Sequence, residues 1–313
     1  MTTDAARPLV SVVIPTYNHA HFLGRALKSV LEQTYTNWEA VVIDNHSQDN
    51  TDEVINSFND PRIKTLKIHN HGVIAASRNA GIEAAIGDWI AFLDSDDLWY
   101  PRKLEVVMGE ISRDLSFEVY STDEILVNEL TGDKSPLVYG PSCPDFYKAL
   151  LVSGNRLSPS AALVCRKFLG QKKIQFRENR DFVTAEDYDL WLLLARAGAR
   201  FKFLHSAQGE YRIHASNSSG QIDRHGASTR NVIKDHVYNL QSFELDAHRL
   251  WRAIDARLLL ADSGTLIRKR KFVAAIHALI KAFRASSPGA LHYLAFRLAN
   301  RLRHSTGRQY PDA

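Results

Sequence analysis

Four short apolar runs, separated by three helical patterns, occupy the first hundred residues of this chain, and that alternation constrains its fold more than any other feature. Leu9–Ile14 is β-branched and closed by Pro15, the pattern of a strand buried on both faces of a sheet. His21–Gln33 then places Leu23, Leu27, Val30 and Leu31 at helical spacing. Ala40–Ile43 ends at Asp44, and Asp49, Asn50 and Thr51 offer N-caps for a helix running to Phe58. Ile63–Ile68 alternates apolar and polar residues, Gly72 opens an Ala-rich helix over Val73–Ala85, and Trp89–Leu93 runs into Asp94-Ser95-Asp96-Asp97. Strands separated by helices imply βαβ units, right-handed crossovers and a mostly parallel sheet in an α/β fold.

Such a sheet binds ligands outside the carboxyl ends of its strands. Three of the four runs end in polar groups there: Pro15-Thr16-Tyr17-Asn18, Asp44-Asn45 and Asp94-Ser95-Asp96. Asp94 and Asp96, one residue apart, can present oxygens to one hard cation, Mn²⁺ or Mg²⁺, which also binds phosphate oxygens; an acidic turn is the plainer alternative. Asp44 is placed to accept a hydrogen bond from a ribose hydroxyl or base N–H, or to cap the next helix. Arg78, in Ser77-Arg78-Asn79, can clamp a phosphate or a base edge, or point to solvent.

Beyond Pro101 the pattern weakens. It leaves a helix over Arg102–Ile111, a strand candidate at Phe117–Ser121 and a Pro/Gly-rich stretch, and the irregular 112–182 region is where acceptor choice is expected to lie. Ser160–Cys165 reads as a buried strand, Asp187–Ala197 as an apolar helix stopped by Gly198, and Phe201–Leu204 and Glu210–Ile213 as two short strands. Glu186 and Asp187 at that helix start either complement its dipole or supply a general base. His214 is a candidate third metal ligand, while His19, His21, His69 and His71 lie in polar loops and are given no metal role. P-loop, dinucleotide and serine-hydrolase motifs do not occur.

Taken in order, Val12-Val13-Ile14-Pro15-Thr16-Tyr17-Asn18, Val42-Ile43-Asp44-Asn45, Ser77-Arg78-Asn79, Phe92-Leu93-Asp94-Ser95-Asp96-Asp97 and Thr184-Ala185-Glu186-Asp187-Tyr188-Asp189-Leu190-Trp191 resemble the family 2 inverting glycosyltransferases of GT-A fold. The resemblance covers about residues 9–215. It implies a Rossmann-like sheet flanked by helices and a nucleotide-sugar donor, most often a UDP-sugar. It further implies that Pro15, Thr16, Tyr17 and Asp44 surround base and ribose with Arg78 nearby, and that Asp94, Ser95 and Asp96 hold donor and metal. Asp187 would deprotonate the acceptor hydroxyl, with Glu186 the other carboxylate of that motif. His214 matches a Tyr-Arg-x-His element of many members. Inversion needs one base and no covalent intermediate, so one carboxylate suffices. The implied acceptor is a glycan or a lipid-linked glycan of a cell-surface polysaccharide. A nucleotidyltransferase acting on sugar phosphates, or a non-catalytic protein binding nucleotide sugars or an anionic surface, are the alternatives.

Charge divides the chain in two. Residues 223–313 hold 16 Lys and Arg against 7 Asp and Glu, a net +9, whereas the first 222 residues carry −5. Residues 1–220 are therefore expected to be the catalytic domain and 221–313 a basic helical extension. In that extension Phe272, Ile276, Leu279, Ile280 and Phe283 form an apolar stripe beside Arg268-Lys269-Arg270-Lys271. Leu291, Leu294, Phe296, Leu298 and Leu302 follow, interleaved with Arg297, Arg301 and Arg303. Such a pattern is either a helical subdomain with a basic solvated face or an interfacial contact with anionic membrane. No nucleic-acid motif accompanies the charge, so no nucleic-acid partner is expected. The polar start, the two isolated cysteines (Cys143 and Cys165) and the short apolar runs lead to an expectation of a cytoplasmic protein, peripheral at the inner membrane face.

Overall fold

The computed structural model describes residues 7–214, 222–291 and 293–295. The expected boundary at residue 220, and Phe296, Arg297, Leu298, Arg301, Leu302 and Arg303, lie outside the described residues. By its internal contacts the chain forms two compact units, Met1–Ser142 with Arg156–Ser228, and Cys143–Asn155 with Thr229–Ala313.

In the first unit β1 (Val10–Thr16), β2 (Trp38–Asp44), β3 (Ile63–Lys67) and β4 (Trp89–Phe92) pair in parallel in the order β3-β2-β1-β4. The helices between them are α1 (Ala20–Leu31), α2 (Thr51–Ser57) and α3 (Ile74–Ala84). These are the elements the opening pattern predicts, with ends shifted by at most two residues. Every residue of β1, β2 and β4 is buried, because helices cover both faces. Val10, Val12, Ile14, Ala40, Val42, Ala91 and Leu93 share a core with Leu23, Leu27 and Val30 of α1 and Ile55 of α2. On the other face α3 comes so close to β1 that a Cβ on Gly81 would lie 2.3 Å from Val13 Cγ1.

The sheet continues with mixed pairing. β5 (Leu98–Trp99), β6 (Val119–Asn128), β7 (Lys134–Leu137), β8 (Ala162–Cys165) and β9 (Phe201–Ile213) complete nine strands among the described residues. β8 runs antiparallel to β4 and β6, and β9 parallel to β6 and antiparallel to β5. Two strands expected at 201–204 and 210–213 are thus one, and register shifts opposite Thr122–Ile125 absorb its polar middle. α4 (Lys103–Arg113) adds Leu104, Val107, Met108 and Ile111 to the core. Asn50 makes no side-chain cap; Asp49 accepts the N–H of Thr51 and also that of Ala20, tying the starts of α2 and α1 together.

The second unit is helical. α5 (Phe146–Ser153) packs on α9 (Ala247–Arg268), and α9 turns through Lys269–Lys271 into α10 (Phe272–Ala285). Ala256 and Leu260 meet Ala282 and Ala290 in a small core, and the Ser263 hydroxyl donates to the Ala275 carbonyl at 2.9 Å. α6 (Arg166–Lys172) and α7 (Glu186–Arg196) belong to the first unit, and the boundary at Ser228 falls within α8 (Ile222–Asp235).

Candidate active site

β1 lies between β2 and β4, with Thr16 opposite Asp44 and Val13 opposite Phe92. Their carboxyl ends therefore share one edge, which is where the sequence placed its polar groups. Ser47 donates from its N–H (3.0 Å) and its hydroxyl (2.5 Å) to Asp44 Oδ1. Asp44 Oδ2 is buried with no hydrogen-bond partner, although Lys67 Nζ approaches to 3.7 Å. Thr16 Oγ1, its strand partner, is buried and unpartnered too. Two adjacent orphaned polar atoms at a sheet edge are costly unless something else completes them. Tyr17 stands half-exposed beyond Thr16, and Pro15 pairs with Ile43 within the sheet. The loop after β1 is latched to the loop after β2: Asn18 N–H donates to Ser47 Oγ, and Gln48 N–H to Asn18 Oδ1. Beside this latch His46 and His69 stack at 3.8 Å between centroids.

The acidic turn after β4 is held from behind. Asp94 N–H donates to Ser160 Oγ at 3.1 Å, and the Ser160 hydroxyl donates to Asp97 Oδ2 at 2.6 Å. Asp97 Oδ1 accepts Arg212 N–H at 2.9 Å, which fastens the end of β9 to the same turn. Burial, then the nearby Asp96 carboxylate, pushes the Asp97 carboxyl well above its ordinary range. At the front, His214 Nε2 and Asp96 Oδ2 are 3.0 Å apart, and the His214 ring stacks on Phe22 of α1 at 4.2 Å. Burial and Asp94 raise Asp96 as well. Ser95 Oγ meets His19 Nδ1 at 3.1 Å, so the loop before α1 also grips this turn.

Arg78 joins the turn to the start of α7. Its guanidinium is buried, Nη2 donates to Asp94 Oδ1 at 2.7 Å, and Nη1 donates to Glu186 Oε1 at 2.5 Å. Burial opposes its charge, but the two carboxylates outweigh that and hold it more firmly protonated than a free arginine. Glu186 Oε2 also accepts the N–H of Thr184 at 2.8 Å. Thr184 has φ 81°, a region costly for a β-branched residue, and His225 Nδ1 meets its carbonyl at 2.7 Å. Asp187, the next residue of α7, is raised to about 6, first by burial and then by Glu186. Arg177 grips Asp189 one turn-face behind, donating from Nε at 2.8 Å.

The structure thus brings Asp94 and Glu186 onto one guanidinium, pairs Asp96 with His214, and sets Thr16 and Asp44 on the adjoining strands. Asp97, Ser160, His19 and Phe22 support that cluster; the sequence reading gave His19 no metal role and assigned the other three no part in the site. Of these, only Asp97 had a visible sign, its place in a run of three acids within four residues. Beneath the turn lies a second unforeseen network. Lys103 Nζ donates to Thr122 Oγ1 at 3.0 Å, while Ser158 and Tyr139 hydroxyls donate to Glu124 Oε2 at 2.6 and 2.7 Å. Burial lowers Lys103 to about 8 and raises Glu124.

Among the described residues no group of three or more His, Cys, Asp or Glu side chains is arranged to hold a metal ion. Two carboxylates and an imidazole at the rim nevertheless suit a hard cation that keeps water and phosphate oxygens in most of its shell. Burial raises Asp96 first and the neighbouring Asp94 carboxylate second, and the repulsion in the second is the kind a cation relieves.

Residues 11–169 match the family described as Glycosyl transferase family 2. The chain is 33% identical over 235 residues to the Escherichia coli UDP-Glc:alpha-D-GlcNAc-diphosphoundecaprenol beta-1,3-glucosyltransferase WfgD, covering 74% of this chain and 87% of that enzyme. In fold it is similar to S. aureus TarS residues 1–349 in complex with UDP-GlcNAc, with a TM-score of 0.65 at 20% identity over 87% of this chain and 81% of that one. It is also similar to the mannosyltransferase PcManGT from Pyrobaculum calidifontis in complex with GDP-Man and Mn²⁺, with a TM-score of 0.60 at 21% identity over 95% and 81%. With the strand order, the acidic turn and the Glu-Asp helix start already on one sheet edge, these matches make the chain a glycosyltransferase of GT-A fold that belongs to glycosyl transferase family 2.

Proposed function

We propose that the enzyme moves a sugar from a UDP-sugar to a hydroxyl of a lipid-linked glycan, with inversion at the anomeric carbon, and that Asp187 is the base. The observation that carries this reading is the Arg78 bridge, which brings the acidic turn and the Glu186-Asp187 pair within one side chain of each other. It also distinguishes the two acids. Glu186 is committed to Arg78 and to the Thr184 N–H, whereas Asp187 is the carboxylate raised to about 6, close to where a base works at neutral pH.

Thr16 Oγ1 and Asp44 Oδ2 are the atoms a nucleoside would complete, the carboxylate accepting from a ribose hydroxyl or a base N–H. Tyr17 offers a half-exposed ring beside them. Asp96 and His214, with Asp94 behind them, would hold Mn²⁺ or Mg²⁺, which when bound offsets the charge developing on a diphosphate leaving group. Arg78 keeps Asp94 turned toward that position and stops Glu186 from competing for the acceptor proton. The UDP-GlcNAc complex of TarS and the named donor and acceptor of WfgD support the UDP-sugar and the lipid-linked acceptor. The same relatives suit the cytoplasmic, membrane-peripheral placement expected from the sequence.

Nucleoside diphosphate release, measured across a panel of nucleotide sugars with an undecaprenyl-diphosphate-linked sugar as acceptor, tests the reading. Asp187→Asn is expected to lower kcat by about 10²–10⁴-fold while donor binding persists. Release of pyrophosphate, or an Asp187→Asn enzyme that turns over normally, overturns it.

A further inference from the structure

The second unit carries an apolar helix face that none of the chemistry above uses. α10 buries its small residues, Ala275, Ala278 and Ala282, against α9 and the short core around Ala290. Its large ones face outward: Phe272, Val273, Ile276, Leu279 and Ile280 are between 40% and 71% exposed. At 3.6 residues per turn these five lie within about 120° of the helix circumference. An ordinary surface helix does the reverse and turns its bulky side chains inward. Leu291 and Leu294 are exposed as well and extend the apolar character beyond the helix. Phe283, the last member of the stripe read from the sequence, instead packs into the α9–α10 core.

We propose that α10 docks, lying in the interface plane, on a membrane surface containing anionic lipid. Charge selects this occupant. From Ser263 to Ala295 the chain holds six Lys and Arg (Arg268, Lys269, Arg270, Lys271, Lys281 and Arg284) and no Asp or Glu. All six are exposed. Arg268–Lys271 cluster where α10 begins, and Lys281 and Arg284 border the apolar face along one side. Apolar side chains fringed only by cations match acyl chains beneath anionic headgroups; a protein surface or a second copy of this helix offers no such uniform negative layer. Contiguous apolar exposure of this kind marks an interaction site rather than ordinary surface. With 14 residues α10 is about 21 Å long, and no helix among the described residues is long and apolar enough to cross a membrane. The helix therefore lies along the surface. This rests on α10 alone and is independent of donor, acceptor and base.

Flotation of the full chain with vesicles of two parts phosphatidylcholine to one part phosphatidylglycerol, against vesicles of phosphatidylcholine alone, tests it. Binding to the anionic vesicles is expected to exceed binding to the neutral ones at least ten-fold and to fall as salt rises. The triple variant Phe272→Ser, Ile276→Ser, Ile280→Ser should lose that binding ten-fold or more while keeping its circular dichroism, its melting temperature and its turnover of a water-soluble acceptor. A chain that fails to float, a triple variant that floats as well as the parent, or a parent whose sedimentation shows the same face buried between two copies overturns the proposal.

Discussion

Asp187 is the second residue of α7, and burial together with the neighbouring Glu186 raises its carboxyl. In the proposed role of base it must be ionised to act, so kcat/KM is expected to rise about ten-fold per pH unit below about 6 and level off above it. Stability runs the other way. The carboxyl is raised in the folded chain, so its favourable contribution is complete below the ordinary aspartate range and disappears as pH rises through about 6. Asp187→Asn should therefore raise the melting temperature near neutral pH by the equivalent of about 3 kcal/mol, a gain that shrinks through the acid range and vanishes below the ordinary aspartate value of 3.8. Melting curves across the acidic range check this sign directly. Arg78 behaves oppositely, since Asp94 and Glu186 both depend on it. Arg78→Met leaves two facing carboxylates without their cation and is expected to cost about 3–5 kcal/mol in a urea titration. Arg78→Lys recovers part of that, because an ammonium group lacks the fork that reaches both partners. The types and spacing of these residues mark them out in the sequence; that Arg78 serves two acids is a contact across a hundred residues that no local pattern carries.

At the scale of elements, the close approach of α3 to β1 is the tightest constraint near the site. Gly81→Ala places a Cβ 2.3 Å from Val13 Cγ1, and overpacking of this kind costs about 1–3 kcal/mol, read as a lower denaturant midpoint. Ser160 performs a finer task, joining β8 to the acidic turn through Asp94 and Asp97. Ser160→Ala removes both bonds and is expected to raise the donor KM several-fold more than it lowers kcat, the pattern of a misplaced turn rather than a lost base; steady-state kinetics separate the two. The strands and helices of the first hundred residues were legible because each buried strand shows as an apolar run and each helix as a 3.6-residue period. The second half was harder. β9 was read as two strands because its middle, His205–Gln208, is polar, yet pairing with β6 carries the strand through it. β7 and α5 fell in a stretch whose Pro and Gly content suggested only loop.

The whole molecule comprises an acidic, sheet-containing unit and a basic helical one. Residues 143–155 join the C-terminal helices, a grouping that comes from α5 packing on α9 and has no local signature. At the donor site proposed above, a cognate nucleotide sugar should stabilise the unit that binds it. At a hundred times its Kd the gain is about 2.7 kcal/mol. Thermal shifts are expected to be largest for UDP-sugars with Mn²⁺ and to vanish in Asp44→Ala; a larger response to guanosine or thymidine sugars would sink the uridine assignment.

The amino-acid sequence alone determined the alternating strands and helices, the edge of the sheet where a site would sit and the residues proposed to furnish its chemistry. Hydrophobic period and strand-end polarity are written in neighbouring residues, and a parallel sheet leads its strand ends to one side. The tertiary structure alone decided that Glu186 engages Arg78 and that Asp187 is raised, what holds the acidic turn, and which face of α10 looks outward. Those outcomes depend on burial and on charges met by groups distant in the chain. Desolvation and Coulomb attraction act through space, and only the folded backbone sets those distances.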